Sequence, residues 1–425
     1  MKKVLIVGAG GQGGPCASIL ARDKDVTEIV LGDIDLEVAN KAKNKIKSDK
    51  ITTVKLDAGR VEDLERAAKG VDVIINLTLP RFDINVMKAA MKSGAHYVDS
   101  ARSKDDPVWL WLIEGTSLEL DDEFRKAGLT ALIACGGTPG VTNVLARYVC
   151  DKLDRVDEIL IVAGGRSLEE PKGVASTWGP GWCVDEALEN YEDEVDVFEN
   201  GKYKRYPAFY CPGEYKFPEP IGTVLVTGHT HEEAITLPHF IGKGIKNCAF
   251  RYPYDPIAGA FVQLGLTSGK PIDVRGVKVV PREVLVKLIE TPVNEFLEET
   301  EDVVKLPLES VGAIVMEVKG AKARENVSYK LSWPYHLYTT VEEKMKMYKK
   351  FGTTNVAVAL PAITGAKMCA AGEADRGVIA PECLDPIKFL KTMADTGWPV
   401  KFHETVSRKA YISYLAKLEN KVYEI

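Results

Sequence analysis

The run KKVLIVGAGGQGG, residues 2–14, constrains the fold more than any other stretch. Four apolar residues lead directly into G-x-G-x-x-G, which opens a helical pattern, PCASILA. A strand that turns this tightly into a helix needs Gly8 for the turn and Gly10 where backbone must approach a ligand. It needs Gly13 where the helix packs close against the strand. Gly11 and Gln12 complete the loop, and the N–H groups at the helix start suit a pyrophosphate. The next strand, EIVLGDID, places Asp33 twenty residues past Gly13, where an acid accepts from both ribose hydroxyls of an adenosine. A carboxylate there repels a 2′-phosphate, so NAD is expected over NADP. Asp35 is the alternative acid.

Further short apolar runs follow, TVKLDA, VDVIINLTL, HYVDSA and TALIACG, with amphipathic stretches such as VEDLERAAKG between them. Strands alternating with helices predict a parallel, doubly wound sheet complete by about Gly136. Ligands in such sheets lie beyond the carboxyl ends of the strands. Asp57 and Ala58 therefore border the adenine or simply end the third strand, and Thr78 reaches the nicotinamide ribose. Cys135 faces the same crevice, with plain packing as the alternative. After the helical PGVTNVLARYVCDKL the pattern shifts to longer strands, DEILIVAGG, TVLVTGHTHEEAITLP, GAIVMEVKG and NVSYKLSWPY. The expected fold class is α/β: a Rossmann doubly wound parallel sheet, residues 1–136 and 351–425, with an inserted α+β domain, residues 137–350.

Lysine and arginine total 55 against 61 acids, a formal charge of −6, which disfavours a nucleic-acid partner. No run of 18 apolar residues is present, so no membrane partner and a cytoplasmic location are expected. The eight cysteines include no C-x-x-C pair, which suggests neither a zinc knuckle nor a disulfide framework.

His229, His231 and Glu233 alternate in GHTHEEAITLP, and on a strand they project to one face. Imidazole, with a pKa of about 6.5, suits proton transfer near neutrality, and an adjacent carboxylate orients it or stabilises its charged form. A catalytic zinc needs about three protein ligands, and H-x-H supplies two, so no metal is expected. Asp99 ends the fifth strand and either binds a substrate amine or caps the following segment. Asn143 hydrogen-bonds cofactor or substrate, or serves the first turn of its helix. Arg251 is a candidate carboxylate clamp because arginine forks pair bidentately with carboxylates, and Arg166 and Lys172 are comparable. Trp178 and Trp182, with Asp185 and Glu186 close behind, form either an aromatic wall over the substrate or a domain contact.

The GxGxxG start, the YVD strand end, the G-T-P-G-V-T-N segment at 137–143, the T-L-P at 236–238 and the GVIAPE run at 377–382 resemble the saccharopine dehydrogenase-like family. That family includes saccharopine reductases, lysine 6-dehydrogenases, and carboxynorspermidine and homospermidine synthases. The resemblance implies NAD(P)-linked hydride transfer at an amino-acid C–N bond, with a saccharopine- or lysine-like substrate held between the domains of a homodimer. It sets the family's H-x-E motif on His231 and Glu233. The GPGWCVD wording after Trp178 departs from the family pattern, which leaves the substrate open. Two rivals remain: an aminoalkyl transferase similar to homospermidine synthase that uses bound NAD, and a non-catalytic dinucleotide-binding sensor.

Overall fold

The computed structural model describes residues 1–167, 178–180, 182–289, 294, 296–298, 310–334 and 340–408. Six strands, β1 (Lys3–Val7), β2 (Glu28–Asp33), β3 (Ile51–Lys55), β4 (Val73–Asn76), β5 (His96–Asp99) and β6 (Thr130–Leu132), lie where the apolar runs predict them. They pair in parallel in the order β6-β5-β4-β1-β2-β3, and Gly377–Ile379 adds beyond β6. The order reverses between β1 and β4, so the glycine turn after β1 and the Leu77–Thr78 end of β4 flank the crevice where such sheets bind ligands. The apolar run in β1 reflects burial on both faces. Val4 and Ile6 enter one apolar cluster, while Leu5 and Val7 enter another on the opposite side.

A second, mixed sheet of nine strands among the described residues is built on three long antiparallel strands, Arg155–Ser167, Ser310–Lys322 and Glu325–Pro334. Asn247–Pro253 runs parallel to Arg155–Ser167, and Thr223–Gly228 pairs antiparallel with it on its other side. The two sheets share a core. One continuous apolar cluster runs from Ile6, Val98 and Leu132 through Val144, Leu145 and Val149 of helix Val141–Cys150 to Ile161, Phe250 and Met316.

The tail of the chain differs from the boundary expected at 351. Gly377–Ile379 lies in the parallel sheet, but His403–Arg408 pairs antiparallel with Glu325–Pro334 in the mixed one. The outer edge of Glu325–Pro334 supplies backbone groups that need partners. A Lys152–Glu404 ion pair at 2.5 Å fixes the strand that supplies them.

Helix Ala359–Ala370 packs on the parallel sheet through a glycine. A Cβ on Gly365 would come 2.4 Å from Leu132 Cδ2 and 2.9 Å from Cys135 Sγ. Gly365→Ala is expected to lower stability by about 1–3 kcal/mol by overpacking, despite alanine's better helix propensity. A urea midpoint equal to or above that of the parent chain would show that the helix can move off β6 at no cost.

Candidate active site

The glycine loop has the shape a dinucleotide requires. Gly8 adopts φ +94°, and a Cβ on Gly13 would lie 1.7 Å from the Gly8 carbonyl oxygen, so both positions exclude side chains for internal reasons. At Gly10 and Gly11, by contrast, an added Cβ would meet nothing within 4 Å, so the loop presents bare backbone to open space. Helix Gly13–Ala21 has no side-chain cap at its start; the Gly14 and Cys16 N–H groups bond to the Gly10 and Gln12 carbonyls, and the positive end of the helix points out of the glycine loop, where an anion is favoured. Asp33 accepts from the Ala9 N–H at 2.7 Å and the Asp35 N–H at 2.9 Å, one bond per oxygen, and retains lone pairs for ribose hydroxyls. Asp35 instead caps helix Leu36–Ile46 through the Glu37 N–H.

The remaining cofactor-end residues divide between lining and support. Thr78 sits against Gly8, with its hydroxyl bonded to Asn76 Oδ1 at 2.7 Å. Asp57 closes a turn onto the Gly59 N–H, and the Ala58 carbonyl accepts from Asn85. Gln12 bridges: its Oε1 accepts from the Ala359 N–H at 3.1 Å, which ties the loop to the start of helix Ala359–Ala370. Cys135 is wholly buried and donates to the Pro361 carbonyl, and burial pushes its thiol well above the usual range, so it is a packing residue.

The expected alternation of His229, His231 and Glu233 along one strand does not occur. Strand Thr223–Gly228 ends at Gly228, where its pairing with Asn247–Pro253 stops, and Glu233 opens helix Glu233–Ile241. EEAITL is a sound helix opening, since acids in the first turn meet the positive end of the helix dipole. The intervening loop nonetheless folds His231 back so that its Nδ1 hydrogen-bonds Glu233 Oε2. The imidazole stacks on Phe250, with centroids 4.0 Å apart and planes within 11°. Glu233 has no solvent exposure, and its other oxygen accepts from the hydroxyls of Thr138, at 2.7 Å, and Thr142. Burial opposes charge on His231, but the Glu233 carboxylate outweighs it and the imidazole pKa rises. Burial likewise opposes charge on Glu233, and His231 with the two threonines brings its pKa down. The result is a sealed carboxylate against a half-buried imidazole, an arrangement that favours the charged pair.

Around this pair stands an aromatic wall. His229 stacks on Tyr252 at 5.1 Å and meets the edge of Tyr191 at 5.8 Å; burial pushes its pKa down to about 3, so it is neutral. Trp178 joins the wall beside Tyr191 and bonds Asp255 through its indole N–H at 2.7 Å. His231, Glu232 and Glu233 bring donor atoms within 4.8 Å of one another. These atoms already serve the His231–Glu233 bond and a bond from the Arg102 N–H to Glu232, at 2.9 Å, so an ion would have to displace existing partners.

Asp99 and Asn143 take the structural alternatives expected for them, supporting the following segment and the first turn of a helix, and Arg251 lies away from His231. Asp99 is buried in an ionic cluster: Arg102, its side chain 1% exposed, contacts Asp99 at 2.9 Å, Asp106 at 2.5 Å and Asp83 at 3.4 Å. Asp99 is turned inward because its Oδ1 caps the Ala134 N–H across the strand ends. Asn143 is wholly buried, with its oxygen on the Gly140 N–H and its amide nitrogen shared between Thr236 and Glu382. Arg251 alternates with Phe250 and Tyr252 along its strand and so faces the opposite side of the sheet from His231, where it meets Cys211. Arg166 reaches the Pro220 carbonyl, and Lys172 lies outside the described residues. Thr138, Thr142, Phe250, Tyr191 and Tyr252 complete the site without having been singled out; no motif marks a hydroxyl or ring that acts only through a distant partner. Replacing Arg102 by methionine would strand three buried carboxyls and is expected to cost about 3–5 kcal/mol in urea unfolding. A loss below about 1 kcal/mol would mean that the acids simply take up protons.

With this geometry in hand, the comparisons with known proteins place the chain. The saccharopine dehydrogenase NADP binding domain matches residues 4–132, and the saccharopine dehydrogenase C-terminal domain matches residues 136–398. The chain belongs to the saccharopine dehydrogenase family. It is an NAD(P)-binding oxidoreductase of that family, with a nicotinamide dinucleotide as its cofactor. Carboxyaminopropylagmatine dehydrogenase of Synechocystis sp. is 26% identical over 96% of this chain and 98% of its own length. Carboxynorspermidine synthase of Vibrio cholerae is 29% identical over 93% and 96%. The apo saccharopine dehydrogenase (L-Glu forming) of Saccharomyces cerevisiae superposes with a TM-score of 0.65 at 16% identity, covering 96% of this chain and all of that one. Among the described residues no helix is long and apolar enough to cross a membrane.

Proposed function

We propose that this chain interconverts a carboxyl-bearing secondary amine with its imine by hydride transfer, using NAD, with His231 as the acid/base and Glu233 as its charge partner. The observation that carries this reading is the buried Glu233–His231 pair beside the aromatic wall. Bound nicotinamide supplies the hydride chemistry. For oxidation the substrate nitrogen must be neutral, so a base must first remove its proton. Neutral His231 accepts that proton, and the Glu233 carboxylate stabilises the imidazolium that forms. In the reductive direction the same imidazolium delivers the proton to the amine nitrogen.

A polyamine-like substrate fits the surroundings better than the saccharopine- or lysine-like one expected from the sequence. Relatives matched along almost their whole length are named for carboxyaminopropylagmatine and carboxynorspermidine. Burial, followed by the charges of Glu189, Glu232, Asp185 and Asp193, raises Glu186 to about 8. An acid this loaded with negative neighbours favours an incoming cation. For the cofactor, Asp33 is followed by the neutral, exposed Ile34, and a 2′-phosphate would meet the carboxylate without a compensating cation at that position.

Three outcomes follow, each read by absorbance at about 340 nm, the reduced-nicotinamide band, with carboxynorspermidine as the probe. His231→Asn should lower kcat/KM by about 10²–10⁴-fold with cofactor binding intact; full retention of activity would remove His231 from the chemistry. Oxidation requires neutral His231, so kcat/KM rises with pH through its raised pKa. Glu233→Gln removes the anion that holds that pKa up, leaves burial to push it down, and should move this limb to lower pH. A limb that stays in place would separate Glu233 from the titration. Asp33→Ser should shrink a preference for NAD over NADP that is about tenfold or more in the parent chain; a parent chain that prefers NADP would overturn the cofactor assignment.

A further inference from the structure

We propose that Glu382 is a positioning residue for the Glu233–His231 pair, acting through Asn143 to hold the helix that opens with Glu233 in register with the helix that carries Thr142. Glu382 lies in the turn Pro381–Cys383, just past the strand Gly377–Ile379, and has no solvent exposure. Its Oε2 accepts from Asn143 Nδ2 at 3.0 Å, and the same amide nitrogen donates to Thr236 Oγ1 at 3.0 Å. Asn143 Oδ1 accepts from the Gly140 N–H at 2.9 Å. Thr236 stands one turn after Glu233, and Thr142 immediately precedes Asn143. The Asn143–Thr236 bond therefore sets the same helix-to-helix register that the Thr142–Glu233 bond requires.

Glu382 and the Gly140 N–H together fix which way the Asn143 amide points. An amide presents two donors on one side and an acceptor on the other. With a carboxyl oxygen fixed opposite Nδ2, the nitrogen must face Thr236 and the oxygen must face Gly140. The backbone of Glu382 is itself anchored, since its carbonyl accepts from Arg147 Nη1 at 3.0 Å. Without the carboxyl, Asn143 Nδ2 loses one of its two acceptors, and the Asn143–Thr236 tie next to Glu233 loses its brace.

The groups that face Glu382 are Glu233, Arg147, Cys150, Tyr203, Cys248, Cys135 and Cys383. The cysteines and the tyrosine are pushed upward by burial, so Glu233 and Arg147 are the charged ones. Burial raises Glu382 itself to about 7, and its Oε1 has no partner among the described residues. Glutamine therefore reproduces both the shape and the neutral charge of the protonated side chain and keeps an acceptor for Asn143.

The test is the titration of the His231 ring proton by NMR in the full chain, assigned by its disappearance in His231→Asn. Glu382→Ala should lower the His231 pKa by about one unit as its contact with Glu233 loosens, while Glu382→Gln should leave the titration in place. A His231 that titrates identically in the parent chain and in Glu382→Ala overturns the proposal, and so does a Glu382→Gln that behaves like the alanine variant. If Glu382→Ala does not fold, Thr236→Val removes the other end of the tie at constant volume. A downward shift there supports the proposal, and no shift overturns it. The proposal rests on the acid/base reading of His231 only for its catalytic consequence. Turnover in His231→Asn tests that reading, whereas the titration of His231 tests this one.

Discussion

A carboxylate sealed from solvent must be held by donors or give up its charge, because transfer of an unpaired ion into a protein interior costs several kcal/mol. Glu233 is such a group, with no exposure and with bonds from His231, Thr138 and Thr142. These donors come from three places: the loop after strand Thr223–Gly228, the bend after β6, and helix Val141–Cys150. Its position in the first turn of helix Glu233–Ile241 adds the favourable end of a helix dipole. Once buried, Glu233 keeps its charge through donors that all these elements supply together, and the raised pKa of His231 depends on that charge. The Glu233–His231 pair is thus a property of the joined sheets and of neither alone.

A seam of similar contacts runs along the join. The Arg102 N–H donates to Glu232, Lys104 pairs with Asp193, and the Trp109 indole donates to Asp196 at 3.1 Å. All three start from the segment just past β5. Arg102 holds that segment from below through Asp83, Asp99 and Asp106. Burial pushes Asp83 and Asp99 upward, Asp83 further because of the charge of Asp99. Of the two roles open to Asp99 in the sequence, substrate amine or support of the following segment, the contacts match the second, and Asp99 is part of the foundation of the loop that meets Glu232.

The parallel sheet was legible because a strand buried on both faces must be apolar throughout and a glycine fingerprint must sit at its end. The same logic made Gly8, Gly10, Gly13 and Asp33 readable, since backbone shape and charge at fixed spacing are local properties. His231 and Glu233 were legible as a pair, but alternation assigned them to a strand that stops at Gly228. Period alone does not show where a strand loses its partner. Arg251 was misplaced for a related reason: its chemistry suits a clamp, but its parity along the strand turns it away. Thr138, Thr142 and Phe250 were invisible because a threonine hydroxyl or a phenyl ring has no functional signature until the fold brings an imidazole or a carboxylate against it. The GVIAPE run was noticed as a resemblance, while the burial of Glu382 and its bond to Asn143 depend on contacts far apart in sequence.

The bond from Gln12 to the backbone of Ala359 joins residues 347 positions apart. Strand Gly377–Ile379 covers the edge of β6 from similarly far along the chain. At a ribosomal rate of about 5–20 residues per second, the nascent glycine loop waits on the order of tens of seconds for its brace. From the synthesis of β6 until the end of that interval, β6 is an open sheet edge, the kind of surface that chaperones shield and that pairs with foreign strands. Biosynthesis therefore leaves the nucleotide fold exposed at its edge until the late helix and strand emerge to close it.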